Sequence, residues 1–261
     1  MIALDNELRV LRAIRRFAWL RTRDIAVLVW RHPETRPGLG SVPGLQPPEP
    51  TATELRMAQK TLARLREKRQ VLHASAPDYS RIYALAEAGV RVLRAQGADA
   101  TTGKDAIREF SLDHYHHRRI ANEVAIAALT EGYKISTERE TAQGRWIGGR
   151  DGIAGKIPDA LIRTGSDIWW VEVEHSRKNV PDYQRLLVWL TTVRRDALTP
   201  GGSTLLGKNM HWRQIIFVCT PTFQKKLTRD LQAIGWTHAQ INMLLRFSTA
   251  LYRIGSVEFQ R

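Results

Sequence analysis

Four carboxylates are the side chains of this chain best placed to do chemistry together. Residues 156–163 read Lys-Ile-Pro-Asp-Ala-Leu-Ile-Arg, a Thr-Gly-Ser turn follows, and residues 167–174 read Asp-Ile-Trp-Trp-Val-Glu-Val-Glu. Both halves have strand character and the turn makes them a hairpin. Strand alternation puts Trp170, Glu172 and Glu174 on one face and Trp169, Val171 and Val173 on the other, with Asp159 on the neighbouring strand. Side by side, these acids repel one another, and the cluster is stable only with a cation, a shared proton or basic partners. A hard cation such as Mg2+ or Mn2+ prefers carboxylate oxygens and retains waters, which suits phosphodiester hydrolysis. The fourth acid, Glu123, falls on a helix expected from about Leu112 to Glu131, in one row with His116, Ile120 and Ala127. Among apolar neighbours it is partly buried and needs a partner. The plainer reading of Asp159, Glu172 and Glu174 is a surface hairpin with solvated acids.

The elements around these residues follow from periodicity and punctuation. Strands are expected at 133–139, 212–219 and 247–254, and helices at 180–196 and 222–234, with glycine-containing loops at 144–155 and 199–211. Such a set fits a mixed central sheet flanked by helices. Upstream, Leu4, Leu8, Leu11, Ile14 and Ala18 mark one amphipathic helix, and Thr22 is the expected cap of a second that runs to Trp30. Six prolines between Pro33 and Pro50 enforce a loop. A third helix runs from Thr51 or Thr53 to about Arg69, with Leu55, Ala58, Leu62 and Leu65 inward. Residues 71–74 and 81–84 form a hairpin, and a further helix spans about 86–95. Three helices and a hairpin in this order are the order of a winged helix-turn-helix, whose third helix enters the major groove. Its outer face presents Thr53, Arg56, Lys60 and Arg64, and the wing presents Arg81. These five are the expected DNA contacts.

Composition narrows the partners. The 261 residues carry 40 Lys and Arg against 26 Asp and Glu, a net charge of +14. The excess is spread evenly, 17 against 10 in residues 1–100 and 23 against 16 in residues 101–261. A basic surface of this extent attracts polyanions through counterion release, so double-stranded DNA is the expected partner. The sequence leaves open a homodimer and contacts with plasmid replication or transfer proteins. No run of about 18 apolar residues exists, so no membrane span is expected. The lone Cys219 agrees with a reducing compartment, and a cytoplasmic location is expected. The His114, His116 and His117 group lacks a second cluster at zinc-ligand spacing, and the glycines of 148–152 lack the Lys-Ser/Thr of a phosphate loop.

Pro158-Asp159 followed by Glu172-Val173-Glu174, with Glu123 on a preceding helix, resembles the PD-(D/E)XK nuclease superfamily. The succession of winged helix, helix with His116 and Glu123, and the Pro-Asp and Glu-Val-Glu segments also resembles the replication-relaxation family of mobile-element proteins. The resemblance implies an α+β chain with a winged helix-turn-helix at 1–96, a linker at 97–110 and a nuclease-like α/β domain at 111–261. It further implies Glu123, Asp159 and Glu172 as ligands of Mg2+ or Mn2+, with Glu174 as an auxiliary. The superfamily lysine is replaced by Glu174, so Lys178, Arg177 or Lys156 is the candidate substitute. Two functions stay open: a plasmid or mobile-element protein that cuts or nicks DNA during replication or mobilisation, or an inactive DNA-binding regulator whose second domain serves dimerisation or docking.

Overall fold

The computed structural model describes residues 2–31, 33, 36–38, 40–108, 112–174, 179–207 and 209–250. It has a mixed α+β architecture and divides into two compact units, Met1–Tyr133 and Lys134–Arg261.

In the first unit, α1 (Ile2–Phe17) buries Val10, Leu11, Ile14 and Phe17. Leu4, expected on this stripe, is 60% exposed, and Glu7 occupies the buried position one turn later. Lys68 Nζ and Arg64 Nε hold Glu7 at 2.6 and 2.9 Å. Burial alone would raise its pKa, but these two cations outweigh that and keep it below its ordinary value. Ala18 turns left-handed at φ 67° and ends the helix. The short β1 (Trp19–Arg21) follows, then α2 (Thr22–Trp30). Thr22, the expected cap, is the first helical residue. Asp24 supplies the cap instead by accepting the Arg21 amide at 2.9 Å.

The described residues of the proline-rich stretch 33–50 carry no helix or strand. The stretch is nonetheless anchored, because Leu45 is buried and the Gly44 amide donates to Glu131 at 2.9 Å. α3 (Ala52–Glu67) opens on a reciprocal cap, Thr51 accepting the Glu54 amide and Glu54 accepting the Thr51 amide. Ala58, Thr61, Leu62 and Leu65 form its buried face. β2 (Val71–Ser75) and β3 (Arg81–Leu85) pair antiparallel, and β1 joins the free side of β3 to give the order β1-β3-β2. α4 (Glu87–Ala95), α5 (Lys104–Arg108) and α6 (Leu112–Thr130) complete the unit. The segment expected as a linker at 97–110 is tied down over its first part: Thr102 and Gly103 both donate to the Leu85 carbonyl, and Arg94 donates to that of Ala100. The compact division falls after α6, which groups that helix with the N-terminal elements.

The reason lies in one buried ion cluster. The Arg21 guanidinium, 4% exposed, holds Asp24 through two bonds of 3.0 and 2.8 Å and Glu123 of α6 through a third of 2.7 Å. Arg119 adds a bond of 3.2 Å to the same Glu123 oxygen. Beside the cluster, Trp19 stacks on Tyr115 at 5.4 Å, the Tyr115 hydroxyl donates to Asp78 at 2.5 Å, and Asn122 donates to the Trp19 carbonyl at 3.1 Å. α6 is thus fastened to β1, α2 and the β2–β3 turn by matched polar groups.

The second unit is a mixed sheet in the order β4-β5-β6-β7-β8, made of β4 (Lys134–Thr137), β5 (Ala160–Thr164), β6 (Asp167–Glu174), β7 (His211–Cys219) and β8 (Leu245–Ser248). β5 pairs antiparallel with β4 and β6, and β7 pairs parallel with β6 and β8. α7 (Glu138–Ala142) follows β4, and α8 (Val180–Ala197) makes the crossover between the parallel β6 and β7. α9 (Pro221–Ala233) and α10 (His238–Leu244) lie between β7 and β8 in the chain. One sheet face carries Ile168, Trp170, Ile215 and Phe217 into a core with Leu186, Trp189 and Leu190 of α8 and Leu227 and Leu231 of α9. Trp170 is its centre, with Trp189, Trp146 and Trp212 at 4.7, 5.7 and 6.0 Å. The loop after α8 is pinned by Asp196, which accepts from Ser203, from both the amide and the hydroxyl of Thr204, and from Trp212 Nε1. The strand expected from Lys156 begins only at Ala160, since Pro158 has no amide to donate to a ladder. Of the strand expected at 247–254, residues 251–254 lie outside the described residues.

Arg21→Ala leaves Asp24 and Glu123 buried without their counter-ion. A loss of about 3–5 kcal/mol is expected for such a break, measurable as a lower urea midpoint. Adding Glu123→Gln to that variant removes one uncompensated charge and is expected to recover part of the loss.

Candidate functional site

β6 alternates as its sequence requires, with Trp170 in the core and Glu172 and Glu174 following on the same face. Asp159 stands immediately before β5. Its amide donates to the Val171 carbonyl, and its Oδ2 accepts the Val173 amide at 2.7 Å. The β5–β6 pairing therefore locks the Asp159 carboxylate against the strand that bears the two glutamates.

Glu172 is 4% exposed, and both its oxygens are engaged. Trp170 Nε1 donates to Oε1 at 2.5 Å, and Lys156 Nζ donates to Oε2 at 2.5 Å. The lysine arrives from a tight loop in which Ile153 and Lys156 form a bridge. Gly152 makes that loop feasible: its φ is 76°, and a Cβ there would lie 2.4 Å from the Lys156 carbonyl oxygen. Lys156 Nζ also sits 5.7 Å over the Trp189 ring. Burial dominates the titration of Glu172 and pushes it up to about 7. Lys156 pulls against this, while the charges of Asp159 and Glu174 add to it. Glu174 pairs in register with Cys219, whose thiol is pushed up to about 12 by burial and by the Glu174 charge. That thiol is an inert core group.

The structure thus brings Asp159, Glu172 and Glu174 into one electrostatic neighbourhood and adds Lys156 to it. Glu123 lies in the first unit, held by Arg21 and Arg119. Lys178 and Arg177 lie outside the described residues. Among the described residues, no three His, Cys, Asp or Glu side chains form a group that could hold a metal ion. Glu172 accepts from an ammonium and an indole N–H, and Asp159 Oδ2 accepts from a backbone amide.

The expected DNA-contact residues are distributed differently. Thr53, Arg56 and Lys60 are exposed on the face of α3 opposite its buried positions. Arg81 is exposed at the start of β3. Arg64 is half-buried and bonded to Glu7, which gives it a packing role on α1. The sequence reading missed Arg21 and Trp170 as polar partners. The Arg21 partner on α6 is 102 residues away in the chain, and no local pattern signals it.

The family model described as replication-relaxation matches residues 46–194, more than half of the chain. No curated protein matches it, and no solved structure matches it.

The Glu172 titration has a definite sign. A carboxyl whose pKa rises from 4.5 unfolded to about 7 folded binds its proton more tightly in the native state. Its contribution is fully present below 4.5 and is lost as pH rises through about 7. In EDTA, wild-type stability is expected to fall across this window relative to Glu172→Gln, in which Trp170 can still donate to the amide oxygen. Denaturation midpoints at pH 5 and pH 8 measure the difference, and parallel pH profiles for the two proteins would contradict it.

Proposed function

The chain belongs to the replication-relaxation family, and from that premise we propose that it is a plasmid or mobile-element protein that binds double-stranded DNA through its N-terminal unit. The observation that carries this reading is the two-sidedness of α3. Ala58, Thr61, Leu62 and Leu65 face the core, and Thr53, Arg56 and Lys60 face solvent in the first half of the helix. The order helix, short strand, two helices and hairpin, with β1 closing a three-stranded sheet, supports a winged helix-turn-helix assignment. α3 then enters the major groove, and Arg81 at the hairpin meets the backbone. The net charge of +14 supplies the sequence-independent attraction.

In this reading the second unit docks partners or a second copy and does not cut. The closure of Glu172 by Lys156 and Trp170 supports that choice. Cleavage would require both hydrogen bonds to open and the carboxylates to regroup.

Arg56→Ala with Lys60→Ala is expected to weaken duplex binding in gel shifts and to lower the salt slope by about 0.9 for each phosphate no longer neutralised. Unchanged affinity would remove α3 from the interface. On supercoiled plasmid with Mg2+ or Mn2+, wild type and Asp159→Ala are expected to nick equally little. Nicking by wild type that Asp159→Ala abolishes would instead assign hydrolysis to the second unit.

A further inference from the structure

A groove of about 900 Å3 opens in the first unit at the C-terminal end of α3. The C-terminal end of α3, the strand β2 and the helix α5 line it. β2 is an edge strand of its sheet, so this groove runs beside a side of the sheet that no further strand covers. Four cations stand on its rim, Arg66 and Arg69 from the end of α3 and Lys104 and Arg108 from α5, and all four are exposed. Among the described lining residues, Glu67 is the one acid. Val71, Leu72 and Ile107 are its apolar lining residues. His73 is the aromatic member, and its ring lies 6.4 Å from that of Tyr83.

A cationic rim with an apolar lining is matched by a ligand that carries regular negative charge on one side and flat, weakly polar faces on the other. Duplex DNA offers only the first, because its bases are stacked inside. An acidic peptide likewise offers charge without the flat faces. A single strand of nucleic acid offers both: phosphates for the cations, and unstacked bases for the apolar lining and the imidazole. We infer that this groove is a binding site for single-stranded DNA, further along α3 than the residues proposed to read the duplex. Its volume lies within the range of about 300–1,000 Å3 usual for ligand pockets, so it engages a short stretch of strand. His73 has the character this requires. Partial desolvation lowers its pKa, and the charges of Arg66 and Arg81 lower it further, so a positive charge on the ring is disfavoured. The inference goes beyond duplex binding and gives the unit two nucleic-acid surfaces.

The test uses the full chain, a fluorescent oligo(dT) and a fluorescent duplex, with anisotropy as the readout. The probe variant is Arg66→Ala with Lys104→Ala and Arg108→Ala, all at exposed positions, and circular dichroism confirms that it folds. Wild type is expected to bind oligo(dT) with a salt slope that drops by about 0.7 for each cation removed. The variant is expected to lose oligo(dT) affinity by tenfold or more while its duplex affinity stays within about twofold of wild type. Leu72→Glu, which charges the apolar lining and leaves the rim intact, is expected to lose oligo(dT) binding as well. The inference is overturned if wild type ignores oligo(dT), if the variant binds it unchanged, or if duplex and oligo(dT) affinities fall in parallel. Displacement of oligo(dT) by polyglutamate at equal charge concentration would overturn it too, by making the groove a general anion surface. Failure of duplex binding with Arg56 and Lys60 intact would count against the function proposed above and leave this result readable on its own.

Discussion

One guanidinium organises the first unit. Arg21 is removed from water, and a buried charge of that kind is tolerable only when its donors are met by acceptors of opposite charge. Asp24 meets it from the next helix and Glu123 from the long helix α6. Because Arg21 belongs to β1, the same cluster fixes the strand, the start of α2 and the position of α6 together. The outward face of α3 and the basic groove beside β2 inherit their orientation from this frame. The aromatic stack of Trp19 on Tyr115 and the Tyr115–Asp78 bond repeat the arrangement next to it, so the turn between β2 and β3 is held as well.

The same constraint governs the second unit and gives a different chemical result. Glu172 is buried among tryptophans, and the protein answers it with Lys156 and the Trp170 indole. Both Glu172 oxygens are turned toward these protein donors. The positive charge that answers Glu172 is brought by a glycine-dependent loop upstream of Asp159. Asp196 shows a third version, a carboxylate whose charge is held by hydroxyls, amides and an indole, and its pKa is lowered because these hydrogen bonds outweigh its burial.

Much of this was legible in the residues. Thr51 or Thr53 announces the start of α3, the alternation from Trp169 to Glu174 announces β6, and the turn residues 164–166 announce the hairpin, because each signal is carried by neighbours in the chain. α7 and α10 were missed although Thr137 with Glu140 and Thr237 with Gln240 make the same local cap as Thr51 with Glu54. β1 was missed for a different reason: three residues are too few to establish a period, and the strand exists because β3 offers it an edge.

The residues by themselves determined the secondary structure of the long elements, the basic character of the surface and the presence of acids that needed partners. Burial and periodicity are local properties, and they survive being read along a line. Which partner each acid received was decided only by the tertiary structure. Glu123 went to Arg21, 102 positions away, Glu172 went to Lys156, one of three cations the sequence had offered, and Arg64 turned from the outer surface to Glu7 on α1. Coulomb attraction depends on distance in space, and a chain that folds back on itself makes neighbours of charges that no spacing in the sequence can identify.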